Sequence, residues 1–280
     1  MPDSPSFADS LSLIGAGQMG RALAVGFCRA GRATPAGIVV VDPAEASRAA
    51  VAAALPEVRT AATIAEGVAA AKYVVLAVKP QQAAAACAEI RQAVTDTSIV
   101  ISIVAGLPLA SLAAATGTDR VIRVMPNTPC LIGKGVSVIS AAPAVSAIDC
   151  EHVKNLFAAV GTVHEAAEPL LDAVTAVSGS GPGYVALLIE ALTDGGVRAG
   201  LPRHLAQALA VETFAGTAAL VAETGEHPAV IKDRVSSPGG TTIAGLAVLE
   251  RAGVRGALAD AVAAATARAS ELGRPAASRD

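Results

Sequence analysis

Two stretches of this chain hold residue types at spacings that can do chemistry. The first is Gly15-Ala16-Gly17-Gln18-Met19-Gly20. A short apolar run, Leu11–Ile14, leads into it, and a helical pattern carrying Leu23 and Phe27 leaves it and stops at Gly31. G-x-G-x-x-G between a strand and a helix is the context in which the motif cradles a dinucleotide. Gly15 allows the tight turn, Gly17 lets a pyrophosphate approach the backbone, and Gly20 lets the helix pack close to the strand. A second strand, Ile38–Val41, ends in Asp42, 22 residues after Gly20. That is near the spacing of the acid that binds an adenosine ribose. By its charge Asp42 is expected to bond a 2′-hydroxyl and repel a 2′-phosphate. Arg48, further along the following helix, offsets that charge only if it folds back.

The second stretch is Ser236-Ser237-Pro238-Gly239-Gly240-Thr241-Thr242, followed by the periodic apolar residues Ile243, Leu246 and Leu249. It reads as a glycine turn feeding a helix N-terminus. Such an end presents unpaired N–H groups and the positive end of the helix dipole. An anion, including a substrate carboxylate, fits there. The plainer reading is an ordinary helix cap.

The elements that must position these stretches fall into two kinds. Up to Glu168-Pro169 the chain alternates strands and helices. Helices are expected near 45–55, 64–71, 82–94, 109–115 and 148–159. Further strands are expected at 73–78, 99–103, 121–124, 135–139 and 161–164. The continuous apolar runs suit strands buried on both faces of a parallel sheet. Two of them end in Lys79-Pro80-Gln81 and in Met125-Pro126-Asn127-Thr128-Pro129, at the carboxyl edge where doubly wound sheets bind ligands. Lys79 reads equally as a ligand contact or a solvated charge, and Asn127 as a ligand contact or a turn residue. After residue 170 the strand pattern ends and long apolar helices follow. One has Pro182 in its first turn and stops at Gly200, and the next runs from Pro202 to about Glu223. Their apolar residues spread around more than one side, which implies burial against a second subunit. The domains are expected at 11–166, dinucleotide-binding, and 167–273, helical, with a disordered lead at 1–10 and a tail at 274–280.

Composition excludes several functions. Net charge is −3 with no basic run, and aromatics are 2% with no Trp, so neither phosphate tracking nor base stacking points to a nucleic acid partner. Apolar runs are interrupted before they reach membrane-spanning length, so no membrane partner is expected. The polar first ten residues carry no signal-peptide pattern, and a cytoplasmic protein is expected. Four scattered Cys and four scattered His offer no metal-ligand spacing, so no metal is expected.

Taken together, IGAGQMG (14–20), AVKPQ (77–81), MPNTP (125–129), SGSGPGY (178–184) and SSPGGTT with IAGL and VLE (236–250) make the chain resemble the pyrroline-5-carboxylate reductases, from about Leu11 to Leu272. The resemblance implies an α/β N-terminal Rossmann domain with a doubly wound, mostly parallel sheet, and an all-α C-terminal dimerisation domain. It implies hydride transfer from NADPH or NADH to 1-pyrroline-5-carboxylate, giving L-proline. It implies a dimer, or a higher ring of dimers. The cofactor-binding set carried over is Ile14, Gly15, Gly17, Gln18, Met19 and Gly20 at the pyrophosphate, with Asp42, Ala77, Val78, Lys79, Pro80, Ile103, Val104, Ala105 and Asn127. The substrate set is Ser237, Gly239, Gly240, Thr241 and Thr242, with backbone N–H groups on the carboxylate and the Thr242 hydroxyl, the catalytic group, on the ring nitrogen. Ile64 stands where relatives often place a ribose-contacting asparagine, and that role is not carried over. A related imine reductase or β-hydroxyacid dehydrogenase is the alternative. Those enzymes typically need an acid such as lysine in the helical domain, where Lys232 is the only lysine. A dinucleotide-sensing scaffold without activity would have no use for Gly239, Gly240 and Thr242 together.

Overall fold

The computed structural model describes residues 10–273, and the lead and tail expected from sequence lie outside them apart from Ser10. Two compact units emerge. One takes the described residues of Met1–Gly179 and Ala265–Asp280, and the other is Ser180–Ala264.

The first unit opens β1 (Leu11–Ile14), α1 (Gln18–Arg29), β2 (Ile38–Val41), α2 (Glu45–Ala54), β3 (Arg59–Ala61) and α3 (Ile64–Val68). It continues β4 (Tyr73–Leu76), α4 (Pro80–Ala93), β5 (Ile99–Ser102), α5 (Leu109–Thr116) and β6 (Val121–Met125). Then come β7 (Gly135–Ala141), α6 (Ala147–Phe157), β8 (Gly161–Glu165) and the short α7 (Leu171–Val174), which runs into a π-helical turn at Thr175–Gly179. The strands form one sheet in the order β3-β2-β1-β4-β5-β6-β7-β8. All pairs are parallel except β6 with β7. This is the doubly wound α/β fold expected, with its switch point between β1 and β4, where loops leaving adjacent strands diverge and open a crevice.

Alternation along the strands explains why both faces are covered. Leu11, Leu13, Tyr73, Val75, Ile99 and Ile101 point to one layer, where Leu23 and Phe27 of α1 meet Val153 and Phe157 of α6. Ile14, Val74, Leu76 and Val100 point to the other, against Val68, Ile90 and Leu112 of α3, α4 and α5. Phe27 and Phe157 meet edge to face at 5.6 Å, an arrangement their ring quadrupoles favour. β3, three residues at the sheet edge, is not anticipated by the sequence pattern, and α3 is shorter than expected.

The second unit holds α8 (Gly181–Arg198), α9 (Arg203–Thr224), α10 (Pro228–Arg234), α11 (Thr241–Arg251) and the first part of α12 (Val254–Gly273). α8 packs on α9 through small residues: a Cβ at Gly196 would come within 3.0 Å of the Ala206 methyl. The hydrophobic residues buried within this unit are only Ala206, Ala210 and Ile231. Leu187, Val248 and Leu249 are among the many that stay exposed. α9 is long and apolar enough to cross a membrane by length and composition alone, because the helix carries its few charges sparsely where linear runs look interrupted.

Candidate active site

The crevice at the switch point is a cleft of about 520 Å³. Register builds it. Ile14 pairs with Val41 on one side and Leu76 on the other, and Leu76 pairs with Ser102. The ladder then continues one residue further: Gly15 N–H donates to Val41 O at 2.8 Å, Ala77 N–H to Ile14 O at 2.8 Å, and Ile103 N–H to Leu76 O at 3.1 Å. Asp42, Gly15, Ala77 and Ile103 therefore leave the sheet side by side.

The glycine turn is built as the spacing predicts. Gly15 has φ +106°, and a Cβ there would lie 2.7 Å from Ala77 O. A Cβ at Gly20 would lie 2.0 Å from Gly15 O. At Gly17 a Cβ would meet no protein atom, because that residue faces the open cleft. Gly17 is also the N-cap of α1, with no side-chain cap and no acid in the first turn. The amides at the start of α1 are thus left for an anion, and the residues present fit a pyrophosphate.

Asp42 closes one end of the cleft. Its Oδ2 accepts from Ala16 N–H at 2.9 Å and its Oδ1 from Ala44 N–H at 2.9 Å. Arg48 does fold back: its Nη1 donates to Asp42 O at 2.7 Å and to Pro43 O at 3.0 Å. Ile14, Ala77, Val78 and Lys79 also line the cleft. Lys79 is the N-cap of α4 and Pro80 its first helical residue, where a missing N–H costs nothing. Gln18, Met19, Gly20, Pro80, Ile103, Val104 and Ala105 frame the turns around the cleft without forming its wall. Ala62 and Ile64, which follow the unanticipated β3, do form wall.

Asn127 is buried and engaged by the protein itself. Its Oδ1 accepts from Val136 N–H at 2.8 Å and its Nδ2 donates to Ser178 O at 3.1 Å. It thereby ties the loop after β6 to the π-helical turn, a backbone form that recurs at functional sites. A Cβ at Gly179 in that turn would lie 2.8 Å from the Met125 methyl.

The second unit carries the other glycine turn. Gly240 N–H donates to Ser237 O at 3.0 Å, Pro238 follows Ser237, and Gly239 has φ +68°. Proline then a positive-φ glycine inside a closed four-residue turn is the signature of a type II turn. The turn delivers Gly240 as the N-cap of α11, again with no side-chain cap hydrogen bond and no acid in the first turn. Glycine has no side chain to cap with, so the first amides of α11 are left to solvent or to a ligand. The Ser236 hydroxyl donates to Lys232 O at 2.7 Å. Lys232 itself is ion-paired with Asp233. Among the described residues no group of three His, Cys, Asp or Glu is placed to hold a metal ion.

The chain is similar to known proteins over most of its length. The family profile described as pyrroline-5-carboxylate reductase dimerisation matches residues 168–272. The one described as NADP oxidoreductase coenzyme F420-dependent matches residues 10–106. A pyrroline-5-carboxylate reductase of Synechocystis sp. is 46% identical over 94% of this chain and 98% of its own length. That of Arabidopsis thaliana is 42% identical over 96% and 97%. The crystal structure of Plasmodium falciparum pyrroline carboxylate reductase with NADP bound superimposes with a TM-score of 0.88 at 31% identity, covering 96% of this chain and 100% of that one. Fold and site define an NAD(P)H-dependent oxidoreductase with a Rossmann domain and a helical self-association domain. The chain belongs to the pyrroline-5-carboxylate reductase family. It reduces 1-pyrroline-5-carboxylate to L-proline with hydride from NADPH or NADH.

Proposed function

We propose that the two glycine turns divide this reaction between them. Residues 11–166 form the dinucleotide domain and 167–273 the substrate and dimerisation domain, whose two ends, 167–179 and 265–273, belong to the compact sheet unit. The amides of Gly15–Gly20 and the α1 terminus hold the pyrophosphate, with Asp42 at the ribose and Ala77–Pro80, Ile103–Ala105 and Asn127 framing the rest. Asn127 acts by fixing loop geometry, given that both ends of its amide bind the protein. The turn Ser237–Gly240 and the amides of Thr241 and Thr242 receive the substrate carboxylate, and the Thr242 hydroxyl orients the ring nitrogen. When bound, the reduced nicotinamide supplies the hydride. A protonated imine is already electrophilic, so the chain's main task is to hold the ring at the right face and distance.

The observation that carries this reading is the closed turn Ser237–Gly240, which delivers a glycine N-cap with open amides to α11 inside the stretch that the family profile covers. Lys232, engaged by Asp233, is a poor candidate for the acid a β-hydroxyacid dehydrogenase needs, which favours the imine reading. The exposed apolar face of α9 is read as subunit interface rather than membrane span, supported by the dimerisation profile that covers it. The protein is proposed to work in the cytoplasm without nucleic acid, as a dimer or a ring of dimers. The test is oxidation of NADH and NADPH by the purified protein given 1-pyrroline-5-carboxylate. Turnover with at least one coenzyme is expected, and none with either would overturn the assignment of the turns to this reaction.

A further inference from the structure

We propose that the turn after β2 makes this enzyme selective for the coenzyme with a free 2′-hydroxyl, NADH, over its 2′-phosphorylated form, with Asp42 as the selecting residue and Arg48 taking no part in phosphate binding. This rests on the reading that the cleft at Gly15–Gly20 holds a nicotinamide dinucleotide. In such a cleft the adenosine ribose lies at the carboxyl end of β2.

The carboxylate of Asp42 cannot turn away from that place. One oxygen is held by the Ala16 N–H of the glycine turn and the other by the Ala44 N–H beyond β2, each at 2.9 Å. Each oxygen keeps lone pairs that a ribose hydroxyl can fill by donating its proton. A phosphate dianion has no proton to donate and brings like charge against a fixed carboxylate. The rest of the turn gives it little in return. Pro43 has no N–H, the Ala44 N–H is already engaged, and α2 opens with the acidic Glu45. Arg48 is the nearby cation, but its Nη1 bridges the carbonyls of Asp42 and Pro43 at 2.7 and 3.0 Å. With Nη1 on those carbonyls, only Nε and Nη2 are left to face a phosphate, and the guanidinium is held to the same turn as the fixed Asp42 carboxylate. Lys79, the cation on the cleft wall, follows β4, which β1 separates from β2. On the adenine side the wall is apolar, Ala62 and Ile64, where a polar side chain could otherwise have served a phosphate.

The experiment measures dissociation constants of NADH and NADPH by coenzyme fluorescence at one ionic strength, without substrate, for the full chain and three variants. The unaltered protein is expected to bind NADH at least about tenfold more tightly. Arg48→Ala is expected to leave the ratio within about twofold, because the guanidinium contacts only its own turn. Asp42→Ser is expected to close or reverse the ratio while weakening both coenzymes somewhat, since Ala16 loses its acceptor. Asp42→Asn, which keeps the side chain's shape, repeats the test if the serine variant folds poorly. Equal or tighter binding of NADPH by the unaltered protein overturns the proposal. So does a selective loss of NADPH binding in Arg48→Ala, or an unchanged ratio in both Asp42 variants. Failure to bind either coenzyme overturns the underlying cleft assignment as well, and turnover of 1-pyrroline-5-carboxylate, measured separately, tells the two failures apart.

Discussion

A Cβ at position 20 would stand 2.0 Å from the Gly15 carbonyl oxygen, a backbone atom with nowhere to go. Gly20→Ala should therefore push α1 away from the glycine turn, at a cost of roughly 1–3 kcal/mol or more by overpacking. Thermal melting should register that loss, together with weaker binding of both coenzymes. Position 240 differs in kind. A Cβ there would come within 2.4 Å of the Ser237 hydroxyl oxygen, the end of a side chain that can rotate, so Gly240→Ala should fold but disturb the turn that serves the carboxylate. Thr242→Ala asks a narrower question. If its hydroxyl orients the ring nitrogen, losing one hydrogen bond at the reacting group should lower kcat by about tenfold to a hundredfold. Coenzyme dissociation constants should stay as they were. Full kcat in that variant would remove Thr242 from the mechanism.

At the scale of elements, β6 is the hub of the first unit through one buried cation. Arg123 is 5% exposed, and its guanidinium meets Asp172 at 3.1 Å and Glu168 at 3.7 Å. Glu168 also accepts the Leu109 N–H that starts α5, and Asp172 accepts the Ser270 hydroxyl from α12. Replacing the cation by Arg123→Met leaves two partly buried carboxylates facing each other. Because each is about a quarter exposed, the loss should fall below that of a fully buried pair, near 2–4 kcal/mol, read as a lower urea midpoint. A second polar knot joins β4 to α6, where the Tyr73 hydroxyl donates to Asp149 at 3.0 Å. Burial, then the hydrogen bond to Asp149, pushes the Tyr73 phenol from 10.0 up to about 12. The folded state thus holds a proton that the unfolded chain gives up first. The contribution is complete below pH 10 and is lost as pH rises from 10 towards about 12, and Tyr73→Phe should flatten the denaturation midpoint across that window. The long apolar strands and the order of the glycine turn, Asp42 and Lys79 were legible in the sequence because periodicity and spacing encode them. The edge strand β3 was not: Arg59-Thr60-Ala61 pairs only with β2 and carries no apolar run. Ala62, the wall residue that follows it, went unassigned for that reason, whereas the resemblance places Ile64 near the ribose and leaves it without a role because its side chain is apolar. Nor could the sequence tell that Arg48 lies on its own turn's carbonyls, or that Asn127 reaches Ser178, since both depend on where distant backbone comes to rest.

For the whole molecule, the deciding contrast is between the two units' interiors. The sheet unit buries two full apolar layers. The helical unit buries Ala206, Ala210 and Ile231 and leaves Leu187 63%, Val248 55% and Leu249 51% exposed. Fully burying one such side chain contributes about 1.5–3 kcal/mol, so a surface with many of them is strongly driven to associate. The dimerisation profile spans residues 168–272, so a second copy of the chain is the expected partner of that surface. Stability and activity should then depend on protein concentration, because association adds its free energy to folding. Leu187→Glu with Val248→Glu places two charges on that surface, far in sequence from the glycine turn of the first unit. Analytical ultracentrifugation should show the double variant as a smaller species at concentrations where the parent is associated. Its melting temperature should fall and lose its dependence on concentration. NADH binding should persist, because the cleft lies wholly within the first unit. A double variant that sediments like the parent would mean that the subunits meet through some other face.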